Sequence, residues 1–264
     1  MRLPAAAAGL ALVFAFAPAS AQQSPYAEYQ RMTAENAPIE LYELAGEEVW
    51  KKRQGPKNAS LEQCDLGQGP GVLKGAYAGL PRYFADADRV MDLEARLAWC
   101  MTTLQGRSWE DATKRVFGNA DKPSEIEVLS AYVAGQSHGM PMRPGTSHPK
   151  EKAAYELGRE LFYHRAGPWD FSCASCHGES GKRIRMSLLP ALNKAKEARP
   201  LMATWPAYRV SKSAFITLEW RMNDCYRQMR MPEPAFGSDI PVALITYMTV
   251  NAQGVVYRGP AIKR

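Results

Sequence analysis

One pentapeptide constrains this chain more than any other stretch: Cys173-Ala174-Ser175-Cys176-His177. C-x-x-C-H is the attachment pattern of a c-type haem. Two thiols at this spacing can each add to a haem vinyl group, and the imidazole that follows can meet the iron from the proximal side. Two other chemistries use paired cysteines. A zinc site wants a second ligand pair at similar spacing, and the sequence has none. A thioredoxin-like pair wants a βαβ context, whereas the flanks here have helical spacing. The reading is one covalent haem c per chain, on Cys173 and Cys176, with His177 as the proximal ligand.

The N-terminus points to export. Arg2 precedes an apolar stretch from Ala5 to Ala17, and Pro18 leads into Ala19-Ser20-Ala21, a small-x-small cleavage pattern. Residues 1–21 therefore read as a cleaved signal peptide, too short and wrongly flanked for a membrane span. No other apolar run approaches membrane length. The 46% apolar and 23% charged composition is that of a globular protein. The net charge of +6 arises from 33 Lys and Arg against 27 Asp and Glu, interspersed along the chain. That pattern attracts anions weakly and is no nucleic-acid footprint.

The two halves of the chain echo each other. Apolar residues Ala154, Leu157, Leu161 and Phe162 recur at helical spacing over Glu151–Tyr163, with Gly158 on the same stripe, where a second helix could approach closely. Gly167-Pro168 stops this helix, and the haem motif follows in a loop. Ser238-Asp239 can cap a late helix with Pro241 in its first turn. Gly46 and Trp50 stand to the first half as Gly158 and Phe162 stand to the second. Pro81, Tyr83, Glu94, Arg96 and Cys100 match Pro206, Tyr208, Glu219, Arg221 and Cys225 without a gap. The common order implies a duplication. The fold class is mainly α, two tandem class I cytochrome c-like domains at 22–145 and 146–264, joined by a Gly-, Pro- and His-rich linker, 135–149.

In the first copy Gly67 and Gln68 stand where the second thioether cysteine and the proximal histidine would be, so that copy cannot hold haem covalently. Cys64 and Cys100 would face the vacated cavity and, in an oxidising compartment, form a disulfide. The sixth iron ligand is less constrained. Met231 suits an ordinary class I cytochrome, with Met222 and Met229 also available. The rival is Cys225, the cysteine left over. Arg221, Arg227 and Arg230 surround it, and positive charge favours thiolate over thiol.

The run from Glu219 to Arg230 (EWRMNDCYRQMR), taken with the CxxCH motif, resembles the SoxA subunits of the SoxAX cytochromes of the periplasmic sulfur-oxidising pathway. The departure at Gly67 and Gln68 resembles their single-haem branch. The resemblance implies a transferase that conjugates thiosulfate oxidatively to a cysteine of the carrier SoxYZ. The two electrons released pass to a SoxX subunit and a soluble acceptor cytochrome c. It also implies that Cys225 is the distal haem ligand, often a persulfide, and that Arg221 is a catalytic base or anion-holder. The alternative is a plain electron-transfer cytochrome with His177 and Met231 on the iron. Lys182, Arg183, Arg185, Arg227 and Arg230 are further cations whose place at the site the sequence leaves open.

Overall fold

Each half of the molecule is organised by a pair of helices that cross at a glycine. The computed structural model describes residues 38–119, 121–184 and 187–263; the predicted leader, 1–21, and Arg185 lie outside the described residues. In the first half, α1 (Pro38–Lys51) is followed by a long loop and the hairpin β1 (Arg82–Phe84) and β2 (Arg89–Met91). Helices α2 (Leu93–Thr103), α3 (Trp109–Thr113) and α4 (Glu125–Gly135) complete it. The second half runs α5 (Pro149–Tyr163), α6 (Cys173–His177), the small hairpin β3 (Arg183–Ile184) and β4 (Ser187–Leu188), and α7 (Ala195–Met202). A second hairpin, β5 (Ala207–Arg209) and β6 (Ala214–Ile216), then precedes α8 (Leu218–Gln228), α9 (Asp239–Asn251) and β7 (Ala261–Lys263). Strand β7 adds in parallel to β5, so the order of the only three-stranded sheet among the described residues is β6-β5-β7. Among the described residues, no helix is long and apolar enough to cross a membrane.

The repeat seen in the sequence has a direct structural counterpart. Helix α1 packs on α4, and α5 packs on α9. A Cβ on Gly46 would collide with the Val128 carbonyl oxygen, and one on Gly158 with the Ala243 carbonyl oxygen. The backbones can approach this closely only because no side chain intervenes. The hairpins share one register: Arg82 faces Met91 as Ala207 faces Ile216, 125 positions further on. Asp88 and Ser213, at equivalent places in the two turns, are both left-handed, with φ of 50° and 49°.

Local capping sets the helix boundaries. Asp92 caps α2 by accepting from Ala95 N, and Thr217 caps α8 by accepting from Trp220 N. Ser124 and Glu127 form a capping box on α4. Helix α5 begins two residues earlier than its apolar stripe suggests, because His148 caps it, Pro149 fits its first turn and Glu151 closes the box. Three expectations are corrected here. The CxxCH segment is a turn of helix, not a loop, because Ser172 and Ser175 cap each other. Ser238 stands at the N-cap of α9, but its side chain makes no capping bond. Segment 135–149 is no loose linker: Met142 N donates to Val255 O at 2.8 Å, and Arg143 N donates to Ala78 O at 2.6 Å. It is a strap bonded to both halves.

One continuous apolar core includes residues of both halves, among them Trp50, Leu97 and Leu129 from the first and Phe162, Met202 and Tyr247 from the second. Three buried carboxyls meet where the halves join. Glu219 N donates to Glu94 Oε1 at 3.1 Å, and Gly237 N donates to Glu219 Oε2 at 2.9 Å. Asp92 lies within hydrogen-bonding reach of Glu219. One oxygen of each, Asp92 Oδ2, Glu94 Oε2 and Glu219 Oε1, has no donor when all three are ionised. Burial pushes all three carboxyls up: Asp92 to about 6, Glu94 to about 8, and Glu219 well above the ordinary range. A retained proton supplies the missing donor and removes the repulsion.

Carboxyls held more tightly protonated in the folded than in the unfolded chain stabilise the fold fully at acid pH. That contribution falls as pH rises from the ordinary carboxyl value, near 4.5, through about 8. The unfolding free energy should therefore decline over this window, and Glu219→Gln should make the decline shallower. Urea unfolding between pH 5 and 9 measures it, and identical pH profiles for the two proteins would contradict it. In the first half, a disulfide joins Cys64 and Cys100, which are 36 positions apart with Cα atoms at 5.6 Å. Closing a loop of that length restricts the unfolded chain by about 4 kcal/mol. The Cys64→Ala/Cys100→Ala double variant should lose a stability of that order in the same assay.

Candidate active site

The CxxCH segment forms one face of the site. On α6, Cys173, Cys176 and His177 stand at i, i+3 and i+4, so all three lie on one side of the turn. None of the three is fully buried, and both thiols are free. His177 Nδ1 lies 2.9 Å from the Pro190 carbonyl oxygen. A proton on Nδ1 makes that bond, which leaves the Nε2 lone pair for a metal. Burial, opposed by this bond, holds the imidazole below its ordinary range and therefore neutral. Burial pushes the Cys173 thiol up to about 12, with a further contribution from Cys225. Lys182 Nζ donates to Ser175 O at 3.0 Å and so ties the following loop to the helix, while Arg183 is exposed.

Helix α8 carries the other candidate residues. Arg221 and Cys225 are one turn apart on it, at i and i+4. Met222 and Tyr226, also on α8, are buried in the core. Cys225 bears electrostatically on Cys173 and Cys176, and Arg221 bears on His177, so α8 lies within electrostatic range of the CxxCH helix. The sequence expectation that arginines favour the Cys225 thiolate needs correction. Burial is the dominant influence and raises the thiol's pKa, Arg221 opposes it, and Asp224 reinforces it. Of the three arginines, only Arg221 acts on the sulfur. Arg227 is exposed and pairs with Glu233 at 3.1 Å. Arg230 sits past the helix end with φ of 57° and lies over the Trp169 ring. Met231 N closes that helix end by donating to Tyr226 O at 2.9 Å. Its side chain packs towards Gly167.

Three residues of this region escaped the sequence reading. Asp224 accepts from Arg221 Nη1 at 2.6 Å and from Gln228 Nε2 at 2.9 Å, which fixes the guanidinium at a helical i, i+3 spacing that the sequence does contain. Arg209 on β5 and Lys263 on β7 are register partners across the parallel pair. No local spacing signals them, because only the sheet brings residue 263 beside residue 209.

The first half shows the same framework without a haem motif. The Arg82 side chain crosses Gly67, and its Nη1 donates to Gly67 O. A cavity of about 430 Å³ beside it is lined by Asp65, Gly67, Arg82, Phe84, Asp86 and Arg96. Cys64 and Cys100 lie in the core beneath, 1% and 2% exposed.

Comparison with known proteins gives the family and the fold. The family model described as "SoxA/TsdA, cytochrome c domain" matches residues 45–142, the half without the CxxCH motif. The chain is 48% identical over 237 residues to the L-cysteine S-thiosulfotransferase subunit SoxA of Hydrogenophilus thermoluteolus, covering 90% of this chain and 86% of that protein. It is 37% identical over 228 residues to a SoxA subunit of Hydrogenobacter thermophilus, covering 86% of this chain and 82% of that one. The fold is shared with the crystal structure of SoxXA from P. pantotrophus, with a TM-score of 0.72, 24% identity, and coverage of 90% of this chain and 84% of that chain. With a relative this similar over nearly the whole length, the chain belongs to the SoxA family of L-cysteine S-thiosulfotransferase subunits, and is a c-type cytochrome carrying covalently bound haem.

Proposed function

We propose that this chain is the catalytic haem subunit of a periplasmic L-cysteine S-thiosulfotransferase. The carrier thiol and thiosulfate are joined through a new S–S bond: RSH + S₂O₃²⁻ gives RS–SSO₃⁻, one proton and two electrons. The carrier is SoxYZ, a SoxX cytochrome is the partner subunit, and a soluble cytochrome c takes the electrons onward. The names of the relatives support the reaction, and the SoxXA title of the solved relative supports the SoxX partner. Export through cleavage after residue 21 and a domain division at 145/146 belong to the same proposal.

The observation that carries this reading is Cys225 addressing Cys173 and Cys176 across the site, with Arg221 one turn away from it. One haem c would be held by these residues: Cys173 and Cys176 would attach it through thioethers, and His177 and Cys225 would be the side chains available to its iron. When bound, the haem iron accepts electrons and favours the thiolate form of Cys225, which burial alone disfavours. The chain does the rest. Pro190 orients His177, and Asp224 fixes Arg221. The Arg221 guanidinium would hold the sulfur oxyanion beside the Cys225 sulfur. Met231 lies beyond the helix end and packs towards Gly167, which favours Cys225 over it as distal ligand.

Intact mass spectrometry of the exported protein should find one haem. Cys225→Ala should change the spectrum of the oxidised protein and abolish thiosulfate-dependent reduction of cytochrome c in the presence of SoxX and SoxYZ. Arg221→Ala should keep its haem and lose roughly 10- to 100-fold in kcat/KM. Arg221→Lys should recover part of that, because a point charge replaces a two-pronged donor. A Cys225→Ala protein with unchanged spectrum and full activity would overturn the assignment and leave His177–Met231 electron transfer as the function.

A further inference from the structure

The two halves treat equivalent arginines in opposite ways. Arg96 and Arg221 are 125 positions apart, like the two hairpins that precede them, and lie at the same place on α2 and α8. In the first half the guanidinium is fully neutralised. Arg96 Nη1 donates to both Asp86 oxygens at 2.8 and 2.9 Å, its Nε donates to Asp65 O at 2.7 Å, and its plane lies 4.0 Å over the Phe84 ring. Its side chain is 4% exposed.

The same offset in the second half replaces Asp86 by Ser211, which is exposed, and Phe84 by Arg209. Arg221 therefore loses its carboxylate on the hairpin and its aromatic platform. It keeps only Asp224, and its side chain is 31% exposed. Beside it, Arg209 Nε is shielded from solvent and has no hydrogen-bond partner. Lys263 faces Arg209 across the β5–β7 pair and directs its Nζ to Thr204 Oγ1 at 2.7 Å. Burial and the charge of Arg221 both lower the Arg209 pKa, as burial and Arg209 lower that of Lys263. Arg221 and Arg209 thus share one carboxylate, Asp224, which Arg227 also approaches at 3.7 Å, and Lys263 adds a further charge beside Arg209. Packing like charges beside a shielded, unpaired donor is unfavourable for the isolated chain. A bound dianion reverses the sign.

We propose that Arg209 is a second substrate-binding guanidinium, which together with Arg221 clamps the sulfonate oxygens of thiosulfate beside Cys225. The identity of the anion rests on the transferase reading above. Two planar donor groups from different elements, a strand and a helix, can grip a three-oxygen sulfonate from two sides and leave its outer sulfur free to react. The haem-free half has no such duty, and there the arginine is neutralised by an aspartate and stacked on a phenylalanine.

Isothermal titration of the oxidised holoprotein with sodium thiosulfate, at fixed ionic strength, tests the clamp directly. Arg209→Gln should weaken thiosulfate binding roughly 10- to 100-fold. Arg209→Lys should lie between this variant and the wild type, with haem content and Soret band unchanged in both. In turnover with the carrier, the loss should appear mainly in KM, with kcat within about threefold. Arg209→Gln binding within twofold of wild type would overturn the proposal, as would a wild-type protein that binds no thiosulfate. Unchanged thiosulfate affinity with a shifted haem potential would assign the guanidinium to a haem propionate instead. A wild type that binds thiosulfate through Arg209 but transfers nothing to the carrier would refute the transferase reading and leave the clamp standing.

Discussion

The close crossing of α5 on α9 is the constraint from which the CxxCH-bearing half follows. Gly158 brings the α5 backbone against the Ala243 carbonyl, and Phe162 and Tyr247 then pack ring to ring at 5.2 Å. That frame fixes where α5 ends and where the chain must turn, and the CxxCH helix follows ten residues after Tyr163. Any side chain at residue 158 would push the helices apart and carry the CxxCH helix with them. The first half repeats the device at Gly46, so one packing solution serves both copies.

Given a common frame, the two halves diverge in how they fill it. The second keeps two thiols and an imidazole on one face and a cysteine on the other. The first closes its equivalent positions with the Cys64–Cys100 disulfide and lays Arg82 across Gly67. A covalent staple within the core restricts the chain there and ties α2 to the loop before it. The match of the cytochrome c family model to residues 45–142 is consistent with that view.

Charge is divided just as unevenly. Where the halves meet, Asp92, Glu94 and Glu219 are buried together and hold their protons more tightly than exposed carboxyls do, a cost set by packing and lifted by acid. At the candidate site, cations are gathered with too few carboxylates to balance them. A fold that buries acids at an internal seam and leaves Arg209 and Arg221 partly exposed sets positive charge where an anion can be held.

Several features were legible from the residues alone because they depend on local spacing. The CxxCH motif, the glycine on the α5 stripe, the decay of the first haem motif at Gly67 and Gln68, and the Arg221–Cys225 turn all lie within short stretches. Capping was only partly legible. Ser238 has the right identity but makes no capping bond, while His148, an uncommon cap, makes one. The electrostatic balance on Cys225 was not legible, because burial outweighs neighbouring arginines and burial is a property of the assembled core. The pairing of Arg209 with Lys263 and the meeting of Glu94 with Glu219 were likewise invisible, since each joins residues more than fifty positions apart. Sequence by itself determined which atoms can bond covalently to haem and which helices repeat, because both follow from spacing along the chain. Only the tertiary structure decided which charges are neutralised and which remain available, because charge balance depends on neighbours in space.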